Sequence, residues 1–333
     1  MKKEISLTTK KRVLILGASG FVGFNIFQAL SQRSDLDVWG TWQSNRYNRL
    51  DPWNSNKKLI WANDLTTKES VNIALEPGFD VVIQAAAYST GAKDAKERPY
   101  IQITPNAVIN SWVFQSAFDH NVSQVIFLSC SVMYPSQDEP SKETDVDRND
   151  LSGPYFGASN MKLYCESMCK FFAELGRTKF TAIRPSNIYG PHDRFDPERS
   201  HVFGATIRKV VESTDGKVVV WGKGQELRDF LYVDDFTRLV ELVIDRQDYN
   251  FDVFNAASGE AVTIKELVEK AVRISGKNLE IVYDPNGPTI GTKIRTSIDK
   301  AKEKFGWEPR VSLDEGIART IEWYRQNKVK EAM

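Results

Sequence analysis

Residues 12–23 read RVLILGASGFVG, and this stretch decides the fold of the chain. Its first part, Arg12–Leu16, is a mostly apolar run with the length of a buried strand. Glycines follow at positions 17, 20 and 23. Apolar residues then recur at helical spacing, at Val22, Ile26, Ala29 and Leu30. A strand, a glycine turn and a helix in this order predict the first half of a βαβ unit.

Further strand candidates follow along the chain, and helical patterns separate several of them. The predicted strands are Asp37–Thr41, Leu59–Ala62, Val81–Gln84, Val125–Leu128, Phe180–Arg184 and Val218–Trp221. The clearest helical patterns cover Asn106–Phe118 and Phe156–Leu175. Strands that alternate with helices favour an α/β fold, with a Rossmann-type, doubly wound parallel sheet covered by helices on both faces.

After residue 187 the alternation becomes irregular, which indicates a second, smaller α/β domain interleaved with the first. We predict a dinucleotide-binding Rossmann domain from residues 1–187 and about 230–258. We predict a nucleotide-sugar-binding domain from about residues 188–229 and from residues 259–333. Three stretches rich in proline, glycine or polar residues are predicted as surface loops: 135–154, 191–200 and 284–293.

Composition and charge exclude several classes of protein. The 333 residues include 44 Lys plus Arg and 44 Asp plus Glu, so the formal net charge is zero. Such a balance argues against a protein held to nucleic acid or acidic lipid by bulk charge. No stretch reaches the roughly 18 uncharged apolar residues of a membrane span. The 3 cysteines have no metal-ligand spacing and leave an odd thiol, so we expect no metal site and a reducing, cytoplasmic location.

The glycine turn carries the first functional signal. Glycine permits a tight turn and lets the backbone approach a pyrophosphate, while the helix N-terminus offers free N–H groups and partial positive charge. We therefore predict a dinucleotide cofactor; the alternative is a glycine turn with a packing role only. The predicted cofactor contacts in this turn are Gly17, Ser19, Gly20, Phe21, Val22 and Gly23.

The residues at the end of the second strand indicate whether the coenzyme is NAD or NADP. Residues 40–46 contain no acid that could accept a hydrogen bond from the 2′-hydroxyl of NAD, whereas Arg46 and Arg49 can pair with the 2′-phosphate of NADP. NADP(H) is therefore favoured over NAD(H), unless both arginines are solvated loop charges. Asp64 and Leu65 follow the third strand and are candidates to hold the adenine, although Asp64 can equally cap the next helix.

Motifs beyond the glycine turn extend to the far end of the chain: Gln84–Ala87, Phe127–Pro135, Tyr155, Arg184–Pro191 and Phe305–Pro309. Together with the glycine turn, they resemble those of the extended short-chain dehydrogenase/reductases that act on nucleotide sugars, the NAD(P)-dependent epimerase/dehydratase family. The resemblance covers nearly the whole chain. It implies further cofactor contacts at Ala85, Ala86, Ala87, Asn106 and Pro185.

Within that group the chain most resembles the GDP-L-fucose synthases, through Asn187–Asp193 followed by Ser200–Val202, through Val218–Gly222 and through Arg228–Asp235. Those enzymes epimerise GDP-4-keto-6-deoxymannose at C3 and C5 and then reduce C4 with NADPH. Family members are commonly homodimers that meet through four helices, and the predicted helix Phe156–Leu175 can serve as one of them.

The same resemblance implies a set of contacts to the nucleotide sugar: Asn187, His201, Lys209, Trp221 and Arg228. An arginine offers a planar fork for a diphosphate, and a tryptophan can stack on a base. Simpler roles remain open for each. Trp221 can belong to the core, Lys209 can be a solvated charge, and Asn187 can form a turn. Arg228 can pair with Asp234 or Asp235.

Reduction of a ketone leaves negative charge on oxygen, so the enzyme needs a proton donor beside it. Tyr155 is the expected donor; its alternative role is that of a buried aromatic side chain that anchors the helix. The family lysine falls four residues after this tyrosine, where the chain has Ser159. Lys162 is our candidate replacement, because four residues turn about 400° and seven about 700°, both within roughly 40° of one helix face. Lys162 can otherwise be an exposed surface lysine.

Cys130 stands where the resemblance places the hydroxyl that polarises the carbonyl. A thiol is a weak donor, so Cys130 is a weakened clamp, an acid or base, or a small buried hydrophobe, while Ser131 beside it can supply a hydroxyl. The Asp-Glu pair of dehydratases is replaced by Ser131 and Val132, which argues against a 4,6-dehydratase.

The resemblance to the GDP-L-fucose synthases places their cysteine base for epimerisation at Val132 and its histidine partner at His201, so this chain has the histidine but not the cysteine. Valine cannot abstract a proton, so epimerisation is either lost or carried by Cys130 or His201 in another way. His201 can also be a neutral group that bonds substrate hydroxyls or a loop backbone.

These signals predict a cytoplasmic, NADP(H)-dependent reductase of a 4-keto nucleotide sugar, GDP-linked and of the 6-deoxy hexose or heptose type. One alternative is a nucleotide-sugar C4 epimerase or dehydrogenase that retains NAD. The other is a non-catalytic, dinucleotide-binding sensor on the same fold. The changes at Cys130 and Ser159 suit a retired active site, whereas Tyr155 and the sugar-diphosphate contacts argue against retirement.

Overall fold

The apolar run ahead of the glycine turn forms an inner strand of a large sheet, to which the described residues contribute seven strands. The computed structural model describes residues 10–43, 59–61, 64–89, 97–151, 153, 155–196, 200–287 and 289–331. The sheet contains β1 (Lys11–Leu16), β2 (Leu36–Trp42), β3 (Leu59–Trp61), β4 (Val81–Gln84), β5 (Gln124–Leu128), β6 (Lys179–Pro185) and β10 (Phe251–Ala256). Their spatial order is β10-β6-β5-β4-β1-β2-β3, and every neighbouring pair is parallel.

Helices cover both faces of this sheet. Those that the structure describes are α1 (Phe21–Ser31), α2 (Lys68–Leu75), α3 (Ile103–Asp119), α4 (Phe156–Glu174), α5 (Val202–Glu212), α6 (Val233–Arg246), α7 (Ile264–Ser275), α8 (Asp299–Phe305) and α9 (Leu313–Glu331). One buried apolar cluster joins α1, α6 and α8 to the sheet, and a second joins α2, α3 and α4. The doubly wound α/β fold is therefore confirmed, and its strand order reverses beside β1, where such folds bind ligands.

The rest of the chain builds smaller sheets around a third apolar cluster that α5, α7 and α9 share. Their strands are β7 (Asn187–Tyr189), β8 (Lys217–Trp221), β9 (Leu227–Tyr232), β11 (Ala261–Thr263), β12 (Glu280–Asp284) and β13 (Lys293–Ile294). Strand β9 pairs with β7, β11 and β13, while β8 pairs with β12. The division into two domains at the boundaries given above stays a prediction.

Two sequence-based expectations differ from the structure for physical reasons. Helix α3 begins at Ile103, three residues before the predicted start, because Pro105 is tolerated in a first turn, where backbone N–H groups have no helical partner. Residues 135–151 are irregular, but they are not a simple surface loop. Ser141 is buried and bridges to Thr296, and the carboxylate of Glu143 accepts from the Asn255 N–H at 2.7 Å.

Among the parts of the chain that the structure describes, none of the helices has the length and apolar character needed to cross a membrane.

Candidate active site

The turn between β1 and α1 excludes side chains at two of its glycines. Gly17 has a φ of +78°, and a Cβ there would lie 2.6 Å from the Cα of Ala86. A Cβ on Gly23 would lie 2.3 Å from the carbonyl oxygen of Gly17. Thr41 of β2 fixes the turn, because its hydroxyl accepts from the Gly17 N–H at 2.9 Å. Gly20 is the N-cap of α1 and has no side chain to cover the first N–H groups, so the turn fits the pyrophosphate of a dinucleotide.

The predicted adenine contacts lie just before α2. The carboxylate of Asp64 accepts from the N–H of Thr66 at 2.9 Å and from its hydroxyl at 2.7 Å. Thr67, not Asp64, is the N-cap of α2. Leu65 is buried in the apolar cluster that includes α2. Arg46, the predicted partner of a 2′-phosphate, lies outside the described residues, as does Arg49.

The segment after β4 lies against the glycine turn. Ala85 and Ala86 are partly exposed and Ala87 is exposed. Asn106 of α3 is buried and bonds the backbone of Tyr88 twice, accepting from its N–H and donating to its carbonyl, both at 2.9 Å. Asn106 therefore holds this segment in place. Pro185 ends β6 at the same edge of the sheet.

The loop after β5 places three small polar residues in different surroundings. The Ser129 hydroxyl donates to the buried carboxylate of Glu166 at 2.6 Å. Ser131 is buried, whereas Cys130 between them is partly exposed. Burial raises the pKa of the Cys130 thiol above its ordinary value, so at neutral pH it is a neutral, weak donor.

A buried ion pair anchors that loop. The guanidinium of Arg184 donates to both carboxylate oxygens of Glu166, at 2.9 and 2.7 Å. It also donates to the hydroxyl of Tyr134 at 2.8 Å, and Tyr134 in turn donates to Asn255 at 2.6 Å. Buried charges that are paired and hydrogen-bonded in this way tie the carboxyl ends of β5, β6 and β10 together.

Tyr155 is the N-cap of α4 and lies at the carboxyl edge of the sheet. Burial raises the pKa of its hydroxyl, and the guanidinium of Arg228 lowers it in part. The thiol of Cys130 also acts on this pKa and raises it further. The structure therefore brings Cys130 and Arg228 each within electrostatic reach of Tyr155.

Lys162 is partly buried, so it is not the exposed surface lysine of the alternative, while its role beside Tyr155 stays a prediction. Its ammonium donates to the Leu128 carbonyl at 2.7 Å and lies 4.7 Å from the ring centre of Phe127. At this position its charge lowers the pKa of Cys130, against the larger effect of burial. Ser159, which takes the place of the family lysine, is buried and donates to the Val132 carbonyl at 3.3 Å.

His201 is the N-cap of α5, and its Nε2 lies 3.2 Å from the hydroxyl of Ser89. The carbonyl of Ser89 accepts from Arg194 at 3.4 Å. Although the residue is exposed at its outer surface, desolvation of the ring and then the charge of Arg194 lower the pKa of His201. A neutral imidazole can accept a proton or bond a hydroxyl.

The guanidinium of Arg228 is held by backbone carbonyls. It donates to Leu227 at 2.8 Å and to Ile290 at 2.7 Å, and it also bonds the carbonyl of Thr292. Burial lowers the pKa of Arg228, while the charges of Tyr155 and then Glu226 raise it.

The alternative pairing of Arg228 with an acid of its own motif is wrong. Asp234 pairs with Arg319 at 3.6 Å, and Asp235 pairs with Arg238 at 2.9 Å. The turn expected as the alternative for Asn187 is wrong too. Asn187 lies in β7 and donates to the carbonyl of Asp229 at 2.9 Å.

Lys209 of α5 and Trp221 of β8 lie side by side. Trp221 is 39% exposed, so it is not a core residue. The Lys209 ammonium lies 4.9 Å from the Trp221 ring centre and donates to the Val219 carbonyl at 2.8 Å. Lys209 is therefore not a freely solvated charge, and burial lowers its pKa. A Cβ on Gly287 would lie 2.5 Å from Trp221, so the backbone there packs directly on the indole.

Three residues of the site were missed by the sequence analysis: Ser89, Glu166 and Asp229. Glu166 offered a signal, since it falls among the apolar positions of a predicted helix, where an unpaired acid would be costly. Asp229 lies in the motif Arg228–Asp235, in which only Arg228 was predicted to contact the nucleotide sugar. Ser89 offered no signal, because its contact with His201 joins residues 112 positions apart.

Comparison with known proteins places this geometry in context. The sequence profile of the NAD dependent epimerase/dehydratase family matches residues 13–257. The chain is 34% identical over 270 residues to GDP-L-fucose synthase 1 of Arabidopsis thaliana, covering 79% of this chain and 83% of that protein. It is 28% identical over 333 residues to GDP-L-fucose synthase of Escherichia coli, covering 96% and 98% of the two chains. The structure of UDP-glucose 4-epimerase from Thermotoga maritima superposes with a TM-score of 0.82 at 26% identity, over 95% of this chain and 99% of that one.

Proposed function

The chain belongs to the NAD dependent epimerase/dehydratase family, and from that premise we propose that it reduces a GDP-linked 4-keto sugar with NADP(H), using Tyr155 as the proton donor. The sugar is of the 6-deoxy hexose or heptose type. Similarity to two GDP-L-fucose synthases over most of their length supports the nucleotide-sugar substrate.

The observation that carries the proposal is the fixed orientation of the Arg228 guanidinium, whose charge reaches the Tyr155 hydroxyl. Arg228 is suited to a diphosphate because three carbonyls orient its planar guanidinium. Its charge also acts on the Tyr155 hydroxyl at the carboxyl edge of the large sheet. A substrate diphosphate and a protonatable sugar oxygen would therefore find their partners in one cleft.

The proton chemistry follows from this arrangement. When bound, NADPH supplies the hydride for C4 of the sugar. Tyr155 keeps its proton at neutral pH because burial raises its pKa, and it donates that proton to the C4 oxygen. The positive charge of Arg228 stabilises the tyrosinate that remains. The Cys130 thiol supplies a second, weaker hydrogen bond to the same oxygen.

We propose reduction without the epimerisation of the GDP-L-fucose synthases. The expected cysteine base is replaced by Val132, which cannot accept a proton. His201 is then a neutral partner for sugar hydroxyls, held by Ser89. The coenzyme preference rests on the second strand, whose end at residues 40–43 contains no acid to select NAD.

We further propose a cytoplasmic homodimer in which α3 and α4 of each copy meet. Helix α4 and its end carry an exposed apolar stripe: Phe156 (55%), Tyr164 (50%), Phe171 (56%) and Leu175 (51%). These residues fall on one face of the helix, and Tyr100 beside α3 adds to it with 69% exposure. A stripe of this kind is typical of a surface that a partner covers.

The test is calorimetric titration of the purified protein with NADPH, NADH, GDP and UDP, followed by a coupled assay. We expect NADPH and GDP to bind and GDP-4-keto-6-deoxymannose to be reduced. Tyr155→Phe should lower kcat about 10²- to 10⁴-fold and leave both affinities unchanged. Binding of dinucleotide with no affinity for GDP or UDP would favour the sensor instead. Similarity to a UDP-glucose 4-epimerase keeps the C4 epimerase as second candidate, which tightly bound NAD in purified protein would favour.

A further inference from the structure

Asp229 is a buried acid that no step of the proposed reaction uses. It lies in β9 and is 1% exposed. Its carboxylate accepts from the hydroxyl of Ser186 at 2.7 Å, from the N–H of Ser258 at 2.8 Å and from the N–H of Gly259 at 2.9 Å. These three hydrogen bonds join β9 to the segment of Ser186 and to the segment of Ser258 and Gly259, and we call this arrangement the Asp229 clamp.

The Asp229 clamp lies where a small sheet meets the large sheet. Ser186 follows the last residue of β6, and Ser258 and Gly259 follow the last residues of β10. Both strands belong to the large sheet, whereas Asp229 belongs to a small one. Asp229 therefore fastens β9 to the carboxyl edge of the large sheet.

The neighbours of the clamp are contacts proposed for the nucleotide sugar. Arg228 precedes Asp229 in β9, so its side chain leaves the opposite face of the strand. Asn187 follows Ser186 and donates to the Asp229 carbonyl at 2.9 Å. A shift of Asp229 would therefore move Arg228 and Asn187 relative to each other.

Resting on the proposed function, we propose that Asp229 is a positioning residue for the nucleoside-diphosphate site: it fixes the separation of Arg228 and Asn187 without touching the ligand. The glycine turn takes no part in this clamp. Loss of the Asp229 carboxylate should accordingly weaken the nucleoside diphosphate and spare the dinucleotide.

The chain offers a matched control six residues away. Asp235 is also buried, at 3% exposure, and one of its oxygens accepts from the N–H groups of Arg310 and Val311, both at 2.9 Å. Its other oxygen accepts from Arg238 at 2.9 Å. Asp235 is thus a similar clamp, but its partners lead to α9 rather than to Arg228 or Asn187.

The experiment compares Asp229→Asn and Asp235→Asn by calorimetry with GDP and NADPH and by thermal unfolding. We expect Asp229→Asn to weaken GDP binding about 10- to 100-fold, with NADPH binding changed less than about twofold. Asp235→Asn should lower the unfolding temperature comparably and leave GDP binding within about twofold. Ser186→Ala is the second variant, which keeps the test available if Asp229→Asn fails to fold. It removes one of the three hydrogen bonds to Asp229 and should weaken GDP binding about threefold.

The outcomes separate the two proposals. A wild-type protein that binds NADPH but neither GDP nor UDP overturns the proposed function, and the role of Asp229 with it. A wild-type protein that binds GDP, together with an Asp229→Asn variant and a Ser186→Ala variant that bind it equally well, overturns the role of Asp229 alone. Equal loss of GDP binding in the Asp229 and Asp235 variants would reduce Asp229 to a residue of general stability.

Discussion

The dinucleotide turn presents backbone groups to its ligand, whereas the proposed sugar-diphosphate cleft presents side chains. The turn offers backbone N–H groups, and its fit depends on the absence of side chains at Gly17 and Gly23. The cleft offers side chains, such as Arg228 and Tyr155, which other parts of the chain must orient. Backbone geometry follows from local sequence, whereas side-chain geometry depends on residues that are far apart in it.

This difference explains how the two regions tolerate change. The glycine pattern of the turn is intact, because any Cβ at its tight positions meets backbone atoms that cannot yield. The proposed catalytic residues depart from the family pattern at Cys130, which is partly exposed, and at Ser159, which is buried and hydrogen-bonded to the Val132 carbonyl. A site built from side chains can therefore be rearranged one residue at a time.

The largest effect should follow from breaking the backbone-built turn. Gly23→Ala places a methyl group 2.3 Å from the Gly17 carbonyl oxygen, so the turn must open. We expect NADPH affinity to fall about 10- to 100-fold, measured by calorimetry, while GDP affinity stays within about twofold. Gly291→Ala is the control, since none of the described residues has an atom within 4 Å of a Cβ there. Unchanged NADPH binding in Gly23→Ala would contradict a cofactor site at this turn.

The same contrast sets how far the sequence could predict the molecule. The strand Val81–Gln84 was predicted at its observed bounds, and the glycine turn at its observed place, because short apolar runs and glycine spacing are local signals. The cation beside Tyr155 was not predictable. Helical spacing favoured Lys162, but its ammonium donates to the carbonyl of Leu128 in β5, and the charge that lowers the pKa of Tyr155 is that of Arg228.

The contacts of Arg228 could not be predicted from the local sequence either. The motif Arg228–Asp235 suggested an ion pair within itself, since both acids lie close in sequence. Asp235 is instead used by Arg238 and by backbone N–H groups from residues 310–311. Carbonyls from residues 290 and 292 complete the surroundings of Arg228, and nothing in the local sequence indicates that contact.

A smaller effect should show which cation serves Tyr155. The positive charge of Arg228 stabilises the tyrosinate and so lowers the pKa of Tyr155, against the larger opposing effect of burial. Arg228→Met should therefore raise this pKa and move the alkaline limb of the kcat profile to higher pH. It should also weaken GDP binding about tenfold, because a charge-assisted bond to the diphosphate is lost.

Lys162→Met is the matched variant, because it removes the cation that the sequence predicted for Tyr155. Its charge lowers the pKa of Cys130, so its removal should raise that pKa and leave the alkaline limb of Tyr155 in place. Ultraviolet difference titration for tyrosinate and thiolate distinguishes the two groups. A shift of the tyrosinate titration in Lys162→Met, with none in Arg228→Met, would mean that Lys162 and not Arg228 is the cation that acts on Tyr155.

The smallest effect concerns the stability of the side-chain-built cleft. Asp193 follows the turn at Pro191 and His192 and is buried, and its Oδ2 has no hydrogen-bond partner among the residues that the structure describes. Burial raises its pKa from 3.8 to about 7. Between these values the unfolded chain has released a proton that the folded chain keeps. The free energy of unfolding therefore falls as pH rises through this window and is lowest above about pH 7.

Asp193→Asn removes the charge that burial disfavours, so it should raise the free energy of unfolding at pH 8 by about 1 kcal/mol or more. At pH 4 the gain should vanish, because Asp193 is then already neutral in the folded protein. Asp215 is the control of opposite sign: the Lys217 N–H lowers the pKa of its exposed carboxylate, so Asp215→Asn should destabilise at pH 8. Denaturant unfolding at both pH values measures the difference. A stability gain that is equal at pH 4 and pH 8 would mean that Asp193 does not carry the buried charge, and that the cleft bears no such electrostatic cost.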